Sequence, residues 1–304
     1  MSDRRLVDAH HHVWDLDRHP QPWLDEPGHA AIRHTFGIDD LRAAATGAIR
    51  GRGLASTVVV QSIASVEETA DLLALAEREE LVAAVVGWVA LDSPGVGEQL
   101  EMLRDAPGGR HLRAVRSLVQ GESDPGWLQR PEVERGLRAV AELDLGFDIL
   151  IRSHQFPQAI SLAERNPELR LVLDHVGKPP IADGDLDEWN WSIRRLAQYP
   201  NMVCKVSGLV TEAEHERWSI DDLRPVWEAV LAAFGPQRLM FGSDWPVCTL
   251  AGTWNEWAGT VEKLLAELSE PEVHAVLAGT ATDFYALRAP DSQDVSSERT
   301  LTSR

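Results

Sequence analysis

The sequence predicts an α/β fold closed as a (β/α)8 barrel. Three observations carry the prediction. Short runs rich in Val, Leu and Ile recur along the chain, apolar on both faces as buried parallel strands must be. Amphipathic or Ala/Leu-rich helical patterns separate them. Eight such pairs fit within 304 residues, a length that suits one barrel. The alternative is an open doubly wound sheet, but no Gly-x-Gly-x-x-Gly turn supports it.

Taken in order, the first run is Arg5-Leu6-Val7, continuing into Asp8-Ala9-His10-His11-His12-Val13-Trp14. Side chains alternate on a strand, so His10 and His12 share a face, with Asp8 beside them and His11 opposite. A Trp/Pro-rich insertion follows over about residues 13–55, with a short helix at Ile38–Ala45. The second strand is Ser56–Ser62, and Ser65-Val66-Glu67-Glu68 has the form of a capping box opening the next helix. Strands three to eight are Ala83–Val89, Ala114–Val119, Phe147–Ile151, Leu171–Gly177, Met202–Ser207 and Arg238–Asp244. Helices fall near Val96–Asp105, from Pro131, at Gln155–Glu164, Asp187–Gln198 and Asp221–Phe234, then near Trp254–Leu268 and Pro271–Leu277. Ser219 and Asp222 form a second capping-box pair. The expected organisation is one domain over residues 1–287 and a flexible polar tail over 288–304.

Composition narrows the function classes. Hydrophobic residues make up 44% and charged residues 25%, as in a soluble globular protein. A formal net charge of -19 repels phosphate backbones, so nucleic acid is an unsuitable partner. No apolar stretch is long enough to span a membrane, and the charged N-terminus lacks a signal-peptide core. Cys204 and Cys248 lie in apolar runs, which suits reduced buried thiols and a cytoplasmic location. Homo-oligomerisation is compatible with all of this.

A barrel places its chemistry at the C-terminal strand ends. Those ends carry His10 and His12, Gln61, Arg116, His175, Lys205 and Asp244, which are far apart in the chain and gathered at one rim by barrel closure. Two imidazoles on one strand face suit a metal ion such as zinc. The competing explanation is a chance His cluster or a tag remnant. His175 alternatively satisfies Asp174, and Asp244 caps the turn before Pro246. Lys205 needs a reason for its charge inside an apolar run, and a structural ion pair with Asp174 or Glu212 would supply one. Arg116 has the same alternative, and Gln61 equally suits a backbone contact. Trp14, Trp88 and Trp245 either line a pocket or pack. His154 fits a surface loop. Cys248 lacks an adjacent His base, and Gly242-Ser243-Asp244 is not a nucleophile elbow.

Four motifs together resemble the amidohydrolase superfamily over about residues 6–287. They are Val7-Asp8-Ala9-His10-His11-His12-Val13-Trp14, Leu173-Asp174-His175-Val176-Gly177-Lys178-Pro179, Cys204-Lys205-Val206-Ser207-Gly208-Leu209 and Arg238-Leu239-Met240-Phe241-Gly242-Ser243-Asp244-Trp245-Pro246. The resemblance is to the sugar-lactonase branch, which includes fuconolactonase- and rhamnonolactonase-like hydrolases. It implies a metal-dependent-hydrolase type of barrel whose ligands fall on His10, His12, His175 and Asp244. A second metal ligand at strand five has no match, so one divalent ion, zinc-like, is expected. The implied reaction is lactone hydrolysis. Asp244 serves as general base then acid, His175 as ligand or carbonyl polariser, and Arg116, Lys205, Gln61, Trp14 and Trp245 face a small-molecule lactone or carboxylic acid. The alternatives are a decarboxylase on the same barrel and a non-catalytic metal- or sugar-acid-binding protein.

Overall fold

The computed structural model describes residues 4–287. Within them, eight parallel strands pair in chain order: β1 (Leu6–His11), β2 (Arg52–Val60), β3 (Val82–Gly87), β4 (Leu112–Ser117), β5 (Gly146–Ile149), β6 (Leu171–Leu173), β7 (Met202–Val206) and β8 (Leu239–Phe241). The ring closes just beyond β8. Asp244 N donates to His10 O at 2.8 Å and His12 N to Trp245 O at 2.7 Å. Helices α1 (Ile38–Ala44), α2 (Val66–Arg78), α3 (Val96–Asp105), α4 (Pro131–Glu142), α5 (Phe156–Arg165), α6 (Asp187–Leu196), α7 (Ile220–Phe234) and α8 (Trp254–Leu264) follow. The seven from α2 onward cover the outside of the ring. The chain is a (β/α)8 barrel.

Two cores result from strand alternation. Leu6, Val59, Val85, Val115, Phe147, Leu173, Cys204 and Phe241 face the helices in one large cluster. Val7, Ala9, Val58, Val60, Ala84, Val86, Ala114, Val172 and Met240 form a second cluster with Ala278, Ala281, Phe284 and Tyr285. The latter four come from the last helical stretch, α9 (Glu270–His274) and α10 (Thr280–Phe284) joined by a π turn. That stretch closes the lower end of the barrel. The sequence pattern marks its first half but misses α10.

Several local expectations change. β2 starts at Arg52, because Ala48–Ile49 pairs antiparallel with its first residues and extends it. The insertion therefore spans fewer residues than 13–55. It has its own small core of Trp14, Leu24 and Ile32. β6 stops at Leu173, since His175 and Val176 turn left-handed at φ 51° and 54°. β8 stops at Phe241. The Asp8 carboxylate takes the backbone N–H of His10 at 3.2 Å but does not join the His10 ring. It accepts from Ser243 N at 2.8 Å and from Trp254 Nε1 on α8 at 3.2 Å, whereas Ala9 packs in the barrel interior. An irregularity in register between Asp8 and His11 accounts for this, because a bulge resets alternation. Ser65 Oγ caps Glu68 N at 3.0 Å, but the Glu68 carboxylate turns to Ser62 and Ile63 instead of closing the capping box. The expected N-terminal features at residues 1–3 and the expected tail at 288–304 lie outside the described residues.

Candidate active site

Above the apolar interior the barrel is filled with charge. Asp148, Asp174, Lys205 and His10 have no exposure, and Arg116 has 3%. Lys205 Nζ contacts Asp148 Oδ2 at 2.5 Å and Asp174 Oδ1 at 3.1 Å. Arg116 Nη1 donates to Asp174 Oδ2 at 3.1 Å and Nη2 to Gln61 O at 2.5 Å. Tyr285 donates from below to Asp148 Oδ2 at 2.9 Å. Two cations thus balance two carboxylates in a region from which water is excluded, and such groups are tolerated only when paired. Burial pushes Asp148 up to about 6, against the pull of Lys205. Burial acts on Asp174 in the same direction, but Lys205, His10 and Arg116 together hold it well below the usual carboxylate range.

This charged layer carries a ring of acceptor atoms. His12 Nδ1 lies 2.8 Å from Val60 O, which can only accept, so Nδ1 bears the proton and Nε2 a lone pair. His10 Nε2 faces Arg116 Nη1 at 3.3 Å, an atom that only donates, and His10 Nδ1 lies 3.4 Å from Asp174 Oδ1. His10 Nε2 therefore also presents a lone pair. His175 Nδ1 bonds Ser207 Oγ at 2.9 Å, leaving its Nε2 free. Burial lowers His10 well below its usual range, with the Lys205 charge second, and lowers His175 to about 4. Both imidazoles are neutral at pH 7. Burial alone would raise Asp244, but in acid the neighbouring imidazoles, His175 foremost and then His12 and His10, become protonated, outweigh burial and depress it.

The acceptors converge. The two Nε2 atoms of His10 and His12 are 3.3 Å apart. Asp244 Oδ1 lies 3.5 Å from His12 Nε2, 3.8 Å from His10 Nε2 and 3.9 Å from His175 Nε2. Ligand atoms of His10, His175 and Asp244 all fall within 4.8 Å of one another. Lone pairs and a carboxylate oxygen so close repel one another unless a cation lies among them. The donor set, three imidazoles and a carboxylate, suits zinc and similar divalent ions. The bond to Val60 O fixes the His12 tautomer, while Asp174 with Lys205, whose Nζ lies 3.2 Å from His10 Nδ1, and Ser207 hold the His10 and His175 rings in orientation.

Backbone strain and small residues make the convergence possible. Asp244 and His175 both sit in the left-handed region, at φ 57° and 51°, where non-glycine residues are uncommon and cluster at functional sites. Gly208, at φ +65°, lies where a Cβ would come within 2.7 Å of His175 Nδ1.

A cleft of about 400 Å3 opens over this ring. His12, Ser62, Arg116, Gln120, His175 and Asp244 line its depth, with Trp23, Glu26, His29, Arg152 and Lys178 on its walls. Of the residues expected at substrate, Arg116 reaches the cleft. Lys205 does not; it lies beneath, tied to Asp148 and Asp174. Gln61 is buried beside Arg116, donating to its carbonyl at 3.2 Å. Trp14 donates to His34 O at 2.7 Å, and Trp245 packs edge-on to Phe36, so neither faces the cleft. Lys178, not Lys205, pairs with Glu212, at 3.2 Å. His154 is exposed, and Cys204 and Cys248 are buried thiols raised by burial. Sequence reasoning missed Asp148, although a charge inside the apolar run Phe147–Ile151 is the signal that marked Lys205. It missed Trp23, Glu26 and His29 because the insertion has no periodicity.

The sequence matches the family described as "Amidohydrolase" (Amidohydro_2) over residues 7–287. The chain belongs to the amidohydrolase family. It is 38% identical over 295 residues to an L-fucono-1,5-lactonase of Burkholderia multivorans, covering 93% of this chain and 97% of that one. A crystal structure of a Burkholderia multivorans amidohydrolase with bound zinc matches this amidohydrolase with a TM-score of 0.86 and 36% identity, covering 93% and 100% of the two chains. The 5-carboxyvanillate decarboxylase of Sphingomonas paucimobilis matches at a TM-score of 0.64 and 15% identity over 94% and 100%, a likeness of fold alone. Among the described residues no helix is long and apolar enough to cross a membrane.

Proposed function

We propose that this amidohydrolase opens the lactone of a sugar acid or a related carboxylic acid. The observation that carries it is the convergence of Nε2 of His10, His12 and His175 with Asp244 Oδ1 at the floor of a cleft sized for one small ring. The likeness to L-fucono-1,5-lactonase over most of both chains supports the same chemistry.

Lactone hydrolysis needs an attacking water, a sink for charge on the carbonyl oxygen and a proton for the leaving ring oxygen. A divalent ion, zinc by this proposal, would be held by His10, His12, His175 and Asp244 and supplies positive charge that favours ionisation of nearby water towards about pH 7. Asp244, ionised at neutral pH, accepts the proton of the attacking water and returns it to the leaving alkoxide, as base then acid. Neutral His175, fixed by Ser207, orients its Nε2 at the reacting centre. Arg116, held by Asp174 and Gln61, presents a rigid guanidinium to developing negative charge. Lys205 and Asp148 act through His10 and Asp174 without touching substrate. A cytoplasmic location accords with two free, buried cysteines.

The test is acid release from a panel of aldono-1,5- and 1,4-lactones, with metal analysis and chelation of the folded protein. Turnover of at least one lactone, lost on chelation and restored by zinc, is expected. Carbon dioxide release from unsaturated or aromatic acids without lactone turnover would refute the proposal. Full activity in verified metal-free protein would remove the ion and leave acid–base chemistry by His175 and Asp244.

A further inference from the structure

The cleft has two chemically opposite walls. On the side of β5 and β6 stand Arg152 and Lys178. On the other, the insertion after β1 contributes Trp23, Glu26 and His29. Trp23 sits in the single turn Pro22–Asp25, and Glu26 and His29 follow it directly. The polar atoms of this second wall are sorted. Trp23 spends its only donor on Gln21 Oε1 at 2.8 Å, so its ring offers an aromatic surface alone. His29 Nδ1 lies 2.9 Å from Trp23 O, which can only accept, so Nε2 is left as an acceptor. The exposed Glu26 carboxylate has no ion pair or hydrogen bond among the described residues. The wall therefore carries two acceptors, an aromatic ring and no free donor.

Trp23 is also held firmly. Gln21, 5% exposed, receives the indole N–H and donates to Ser62 Oγ at 2.7 Å. Ser62 in turn donates to Glu68, whose carboxylate, 3% exposed, also takes the N–H groups of Ser62 and Ile63 at 3.0 and 3.1 Å. Every donor in the chain points towards one buried carboxylate on α2. Gln21 and Ser62 are thus positioning residues for the Trp23 ring.

We propose that Trp23, Glu26 and His29 form the specificity surface of the site and select a neutral ring bearing adjacent hydroxyl groups. A carboxylate accepts two neighbouring O–H donors, the unprotonated ring nitrogen of an imidazole accepts a third, and an indole face packs against the C–H face of such a ring. The same carboxylate repels a ring that carries carboxylates of its own. The ester of the ring then lies over His175 and Asp244 at the floor, and its hydroxyls point towards the insertion. This rests on the lactonase function proposed above and adds to it the residues that select the hydroxylated ring.

The test compares acid release from L-fucono-1,5-lactone and from δ-valerolactone, the same ring size without hydroxyls, for the wild type, Glu26→Ala and Trp23→Leu. Each variant is expected to raise KM for the hydroxylated lactone about ten- to a hundredfold, as loss of charge-assisted hydrogen bonds or a stacking surface would. The kcat of both variants stays within about threefold of wild type, and so does kcat/KM of Glu26→Ala for δ-valerolactone, which has no hydroxyl to lose, whereas Trp23→Leu weakens both lactones through the lost ring face. Equal losses on both lactones for Glu26→Ala, or no loss on either for both variants, would overturn the inference while leaving lactonase activity intact. If the wild type opens neither lactone, the lactonase proposal fails by itself. Calorimetric titration with L-fucono-1,5-lactam then decides the wall. Binding to wild type that Glu26→Ala abolishes supports it, and no binding to wild type overturns it.

Discussion

Lys205 offers the most demanding test of how the site is built. It is fully buried and neutralises Asp148 at 2.5 Å and Asp174 at 3.1 Å. Lys205→Met keeps the length and removes the charge, leaving two carboxylates in the barrel with Arg116 as their remaining cation. Breaking a buried pair from one side costs about 3–5 kcal/mol. For a chain of this size that corresponds to a fall in Tm of about 6–15 °C. The deficit depends on pH with a defined sign. Without the ammonium Asp148, already raised to about 6, moves further above the unfolded value of about 3.9, and Asp174 loses the first of the charges that hold it low. A raised acid stabilises the fold below its unfolded pKa, and that contribution is lost as pH rises through the folded value. The gap between wild type and variant therefore widens as pH rises above about 6, where wild-type Asp148 has already ionised, by up to about 1.4 kcal/mol per unit. Circular-dichroism melts at several pH values measure it. Adding Asp148→Asn should recover about 1 kcal/mol or more of the loss, as coupled neighbours do. A Lys205→Met protein within about 1 kcal/mol of wild type at pH 8 would refute the charge-pairing argument.

Three further outcomes are expected. Asp244→Asn keeps a side chain tolerant of left-handed φ, so the protein should fold while lactone turnover drops about a hundred- to ten-thousandfold; activity within about tenfold would remove Asp244 from proton transfer. Gly208→Ala places a Cβ 2.7 Å from His175 Nδ1 at a positive φ, and should lower stability by about 1–2 kcal/mol and depress kcat more than it alters KM. Zinc added to metal-free protein at a hundred times its Kd should raise stability by about 2.7 kcal/mol, and His12→Ala should weaken that shift, read by thermal denaturation.

The order of strands and helices was legible in the chain because a barrel strand must be apolar on both faces and a covering helix on one. The same rule made His10, Arg116, His175, Lys205 and Asp244 conspicuous, as polar groups at the ends of or within runs where water is absent. What each does was not legible. Depth along the barrel axis separates Arg116, which reaches the cleft, from Lys205, which lies beneath it, and both occupy similar positions in their runs. The register irregularity between Asp8 and His11 sends Asp8 to α8, and the left-handed turn at His175 ends β6 early. Neither has a local sequence signal. Trp23, Glu26 and His29 belong to an aperiodic insertion whose placement depends on packing over the finished ring. Local periodicity is fixed by solvent exclusion residue by residue, whereas the site's membership is fixed by ring closure and strand stagger, which only the assembled barrel has.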